Sequence, residues 1–315
     1  MVNLFSDGKL LFATSYRNDE IECLKEIKPP HLLTSFAMWR NKSEDKDLEN
    51  NLIKRIEYKP TSIYVDCGSY TFGNEDYGLN EMIESYQEMR EEDGFSFDLH
   101  NEDDINRFSY WYFGQFEECA YNNDKNQFCL FEQYLNFLWQ NQKYFNYCFA
   151  FDRIGDNNES LLAYRIMNSL GFNVIPVYQA THISPNKFGN LTITSNTKDL
   201  PILDYYAAKT DYIAIGGTAH SKVKGYKKRD RIEIVNRIID RYPEKKFHLL
   251  GTLDSEIMDA CPRLYSVDGT AWVQKVKNNK IIESKKYLND KILWFESKKG
   301  KNYYLNQNNQ LEFIL

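Results

Sequence analysis

Closely spaced metal ligands are missing from this chain. The six cysteines, at 23, 67, 119, 129, 148 and 261, never fall within four residues of one another, and the five histidines form no His-x-x-x-His pair. Without that spacing the sequence carries no zinc signal, so no metal and no other cofactor is expected. Long apolar runs are also missing: nothing approaches the roughly 18 to 20 residues that cross a bilayer, and no basic-then-apolar leader is visible. The expectation is a cytoplasmic protein in a reducing compartment, with no membrane partner. Excess positive charge is absent as well. The net charge of −6 argues against broad attraction to nucleic acid, while leaving room for a local basic patch. No internal repeat and no Pro-, Gly- or Ser-rich linker divides the chain.

What is present is a folded α/β pattern. With 315 residues, 15% aromatic and 27% charged, the chain can bury a substantial core and does not have the composition of a disordered protein. Short β-rich runs, at Lys9–Thr14, His31–Met38, Ser62–Cys67, Tyr147–Asp152, Asn173–Gln179, Tyr212–Gly216, Phe247–Gly251 and Leu264–Asp268, alternate with helical patterns. The helical segments include Asp45–Ile56, Phe131–Tyr144, Asn158–Leu170, Leu200–Lys209, Asp230–Tyr242 and Asp254–Cys261. Eight strands with intervening helices predict a (β/α)8 TIM-type barrel over residues 1–272. Residues 70–130 are too long for a simple crossover and predict an insertion after the third strand. Alternating polar and apolar residues over 273–315 predict a small β-rich C-terminal appendage.

The carboxyl ends of parallel strands form the ligand mouth of such a barrel. At those ends stand Asp66, Asp152, Gln179, Gly216-Gly217, Gly251 and Asp268. Asp66 closes Ser62-Ile-Tyr-Val-Asp and Asp268 closes Leu264-Tyr-Ser-Val-Asp, each followed by small residues that let a ligand approach the backbone. Structural roles compete at every position: a strand needs some polar residue to finish on, Gly-Gly is ordinary turn material, and Asp156 in Gly155-Asp-Asn-Asn-Glu suits a helix cap. Cys67 has no histidine in a partnering motif and is expected to be a small buried residue rather than a nucleophile.

Asp66-Cys-Gly-Ser-Tyr-Thr-Phe resembles the Asp-Ser-Gly-Gly-Phe-type segment of the tRNA-guanine transglycosylases. Over residues 62–272 the order of further motifs is similar: Phe151-Asp152 with Asp156, Val177-Tyr-Gln179, Ile215-Gly-Gly217, His248-Leu-Leu-Gly251 and Tyr265-Ser-Val-Asp268. The structural zinc motif of the tRNA enzymes is not reproduced, and Asp268 is followed by Gly-Thr-Ala-Trp rather than an arginine-bearing segment. That form looks more like divergent, often phage-encoded relatives, some of which exchange guanine in DNA for a 7-deazaguanine; for a phage-encoded chain the location would be the host cytoplasm.

The resemblance implies a pentosyltransferase in which Asp268 is the nucleophile and Asp66 the general acid/base. Asp152, Asp156, Gln179, Gly216 and Gly217 would bind the base. The implied partners are a nucleic acid, DNA or tRNA, and a 7-deazaguanine base. Lys222, Lys224, Lys227, Lys228, Arg229 and Arg231 form the best candidate phosphate grip, with a solvated helix start as the alternative. A nucleoside or small-glycoside N-glycosidase and a catalytically silent nucleic-acid-binding barrel are the other function classes. Oligomeric state is left open.

Overall fold

The computed structural model describes residues 3–40, 47–72, 78–121, 129–185, 191–219, 226–277 and 280–311. The strands are β1 (Lys9–Thr14), β2 (His31–Ser35), β3 (Ser62–Asp66), β4 (Tyr147–Phe149), β5 (Val174–Ile175), β6 (Val177–Gln179), β7 (Thr181–Pro185), β8 (Leu191–Ser195), β9 (Tyr212–Gly216), β10 (Lys246–Leu249) and β11 (Ser266–Gly269). Nine of them form one sheet in the order β5-β4-β3-β2-β1-β11-β10-β9-β6. Every pairing in that sheet is parallel.

The two ends of this sheet, β5 and β6, are consecutive in sequence and separated only by Pro176, which lacks the N–H a ladder needs. Pro176 still accepts a hydrogen bond from Ala214 N at 2.8 Å. The sheet is therefore nearly closed on itself.

Alternation along the strands sorts side chains into two cores. Leu10, Phe12, Ile63, Val65, Phe247 and Val267 pack outward under the helices. Leu11, Ala13, Leu33, Tyr64, Phe149, Val177, Tyr212 and Ala214 fill the inside of the sheet. Carried forward two residues, the inner set reaches Asp66 from Tyr64, Gln179 from Val177 and Gly216 from Ala214. Asp268, next to outward Val267, belongs to the same inner row.

The structure departs from the sequence expectations at the C-terminus and in the strand count, and it gives the insertion its type. Residues 273–315 are not β-rich: Ala271–Lys277 and Ile281–Leu311 are helices. Ser284, Leu288 and Phe295 are buried at intervals of four and seven residues, a helical face, and Phe5 packs edge-on against Trp294 with ring centroids 5.8 Å apart. Alternation of polar and apolar residues predicts strands, but no glycine or proline interrupts the segment between 281 and 299. The insertion is also helical where described, at Leu79–Glu92 and Glu102–Tyr121. Part of its aromatic content serves packing: Phe108 and Tyr112 are buried, and Tyr86 contacts Phe108 and Trp111 with centroids 5.2 and 5.0 Å away, while Tyr110 is exposed. Lastly, β7 and β8 form an antiparallel hairpin that the strand count omitted.

Candidate functional site

Asp66 ends β3 beside Ser35, the last residue of β2. Burial pushes its carboxyl up to about 8, and the neighbouring charges of Asp152 and Asp268 push in the same direction. Hydrogen bonds from the Gly68 N–H and the Ser35 hydroxyl pull the other way and lose. At neutral pH Asp66 keeps its proton. The turn that supplies the Gly68 N–H demands glycine, because its φ is +86° and a Cβ there would lie 2.4 Å from Ala37 Cβ.

Asp268 lies across the mouth on β11, 5% exposed. Its Oδ1 accepts two hydrogen bonds, from His248 Nε2 at 3.1 Å and from Gly251 N at 2.8 Å. Gly251 has a φ of +72°, a conformation that favours glycine. A cleft of about 600 Å³ lined by Gly251, Thr252, Asp254, Gly269, Thr270 and Lys291 lies at the loops after β10 and β11, and none of Asp66, Asp152 and Asp268 lines it. An apolar cavity of about 410 Å³ between the helices Leu200–Lys209 and Lys228–Arg241 touches none of the mouth carboxylates.

Asp152, 3% exposed, accepts from Cys67 Sγ at 3.1 Å and from Gln179 Nε2 at 2.6 Å. Burial raises its carboxyl above the ordinary range. Since Nε2 faces the carboxylate, the orientation of the Gln179 amide follows, and Oε1 is left buried without a hydrogen-bond partner. Gly216 and Gly217 leave space for this side chain: a Cβ on Gly217 would lie 2.7 Å from Gln179 Oε1, and one on Gly216 3.1 Å from Nε2. The Gly-Gly pair is thus a packing requirement of Gln179 as well as a turn.

The other sequence candidates have separate tasks. Asp156 caps the helix Asn157–Ser169, accepting from Asn158 N at 2.9 Å and Glu159 N at 3.1 Å, which is the structural alternative read for it. Arg231 is buried, donating to Thr218 Oγ1 at 3.1 Å and Leu250 O at 2.9 Å, so it braces the loops behind the mouth. Lys228 pairs with Asp254 and Glu256 at 2.8 and 2.7 Å. Lys227 and Arg229 are exposed, and Lys222 and Lys224 lie outside the described residues.

Two contributors escaped the sequence survey of site residues. Asn157, 1% exposed, accepts from Gln179 N at 2.7 Å and donates to Gln179 O at 3.1 Å, fixing the backbone of that residue. Its position among cap-forming polar residues hid this role. His248 occurred only within a motif, yet the apolar-His-apolar pattern Phe247-His-Leu249 signals a ring on the opposite face from its neighbours.

Asp66, Cys67 and Asp152 place one ligand atom each within 4.8 Å of the others. Metal binding there requires deprotonated ligands, whereas burial holds the Cys67 thiol well above its ordinary value and Asp66 at about 8. Two of the three hold their protons at neutral pH, so the trio fits a metal poorly. The high thiol value also makes Cys67 inert as a nucleophile. Among the described residues no helix is long and apolar enough to cross a membrane. Compared with known protein families and with curated proteins, the chain matches none.

Proposed function

We propose that this chain is a base-exchange glycosyltransferase, replacing guanine in a nucleic acid, with DNA the preferred polymer, by a 7-deazaguanine through a covalent aspartyl-sugar intermediate. One observation carries the proposal: a carboxyl that retains its proton at neutral pH, Asp66, shares a mouth with an aspartate, Asp268, of which Oδ1 alone is engaged by donors among the described residues. Two carboxyl groups with divided tasks are what glycosidic exchange needs. An oxygen of Asp268 bonds to C1′ as the bond from C1′ to N9 breaks. The electron pair leaves with guanine, which takes a proton from Asp66. The incoming base returns a proton to Asp66 as its own N9 attacks C1′ and expels Asp268. In this account β5 and β6 count as one strand interrupted at Pro176, giving the (β/α)8 barrel.

Base recognition falls to Asp152 and Gln179, with the Gly216-Gly217 backbone alongside. A buried carboxyl suits the N–H edge of guanine, and the unpartnered Gln179 Oε1 supplies an acceptor that a base N–H satisfies. A second reading, a free nucleoside as substrate, is favoured by the pairing of Lys228 and the burial of Arg231, which leave fewer cations for a phosphate backbone. Incubation with labelled guanine and, separately, DNA, tRNA and guanine nucleosides, followed by digestion and nucleoside analysis, tests the proposal. Label in one polymer pool supports exchange, label in the nucleoside alone supports the second reading, and label in none rejects both.

The proposed chemistry uses no metal. Elemental analysis of purified protein is expected to find no stoichiometric zinc, and chelators are expected to leave exchange unchanged; about one zinc per chain would overturn this.

A further inference from the structure

His248 lies fully buried inside the barrel-like sheet, its ring 4.8 Å from that of Phe149, with both nitrogens engaged. Nε2 meets Asp268 Oδ1 at 3.1 Å, and Nδ1 meets Ser266 Oγ at 2.6 Å. Ser266 Oγ in turn lies 2.5 Å from Tyr212 OH, the Tyr64 and Tyr212 rings meet edge-on with centroids 6.5 Å apart, and Lys9 Nζ donates to Tyr64 OH at 3.2 Å. A line of polar groups therefore runs from the foot of β1 to the mouth. Ser266, Tyr64 and Tyr212 are all buried along it.

Asp268 Oδ1 already accepts from Gly251 N, so the His248 Nε2–H donates to the same oxygen, while Nδ1 faces the Ser266 hydroxyl.

We propose that His248 is the positioning residue of Asp268: together with Gly251 N it binds Oδ1, so that Oδ2 is the oxygen presented to the sugar. The inference rests on the base-exchange proposal for what Oδ2 attacks, whereas the hydrogen bonds of His248 stand on geometry alone. His248 moves no proton in this role.

The test compares His248→Gln with His248→Leu in the full chain and records the tautomer of His248 in the wild-type protein by imidazole nitrogen NMR. Glutamine can reproduce the pattern, donating to Asp268 and accepting from Ser266; leucine cannot. Expected are a wild-type ring protonated on Nε2, near wild-type kcat for His248→Gln, and a kcat lower by about 10²-fold for His248→Leu with KM unchanged, the scale of a misplaced reacting group. Equal impairment of both variants would make His248 a proton carrier and overturn the assignment, as would full activity of His248→Leu. If His248→Leu does not fold, the kcat of His248→Gln and the wild-type tautomer decide. A wild-type protein that exchanges no base on any substrate refutes the base-exchange proposal. The spectrum then tests the His248–Asp268 hydrogen bond by itself: Nε2–H upholds it, and a proton on Nδ1 alone overturns it.

Discussion

Asp268→Asn is expected to abolish both base exchange and the covalent adduct between protein and nucleic acid, while leaving the protein folded. An amide oxygen is a far poorer nucleophile than a carboxylate oxygen, so the step that captures C1′ has no substitute. Asparagine still offers an acceptor to His248 Nε2 and Gly251 N, so the hydrogen bonds that hold residue 268 survive on one side. The measurement is trapping on denaturing gels with the incoming base withheld. Wild-type protein is expected to show a retarded band and Asp268→Asn none. An adduct formed by Asp268→Asn would exclude this nucleophile and move attention to Asp66.

Asp66→Asn is expected to lower turnover by about 10²- to 10⁴-fold, the usual scale for losing a general acid or base, with polymer binding largely intact. Wild-type activity is expected to fall as pH rises through about 8, where the Asp66 proton is lost. The same shift has a stability signature of defined sign. The folded protein holds this proton up to about pH 8 while the unfolded chain releases it near the ordinary value of 3.8, so between those values the folded state binds more protons and its stability falls with rising pH. Asparagine has no proton to lose. Asp66→Asn should therefore melt higher than wild type at pH 8 to 9 and about equally at pH 3. A variant that loses activity without this pH-dependent rise in Tm would show that Asp66 is not the buried, proton-holding carboxyl.

These two variants depend on features of different legibility. Asp66 and Asp268 were visible as polar ends of apolar runs followed by small residues, because a buried strand of a parallel sheet is read from its apolar content and its end from the first residues that break it. The eight strand positions were visible for the same reason. The C-terminal helix was not: alternating polar and apolar residues over 273–315 read as strands, and the type was decided by a buried face against Phe5 and neighbouring helices that no local pattern reports. Within the aromatic run Phe108–Phe116, Phe108 and Tyr112 pack inward at helical spacing while Tyr110 is exposed, a division that composition does not report.

The basic run illustrates the same limit with charge. Six cations in ten residues read as one patch, but which of them are available depends on what approaches from elsewhere in the chain. Asp254 and Glu256 reach Lys228, and the carbonyl of Leu250 reaches Arg231. Ion pairing across distant segments has no signature in a local composition.

By itself the sequence determined which residue types end the strands and, through a two-residue period, which of them share the inner face, since alternation is a property of the local backbone. Only the tertiary structure decided their chemical states. The high value of Asp66 arises from burial and from Asp152 and Asp268, which lie 86 and 202 positions away in the chain. The single engaged oxygen of Asp268 arises from a histidine on the neighbouring strand and a glycine just beyond its end. Desolvation and hydrogen bonding act through space, so a carboxyl group acquires its role only when folding brings its neighbours around it.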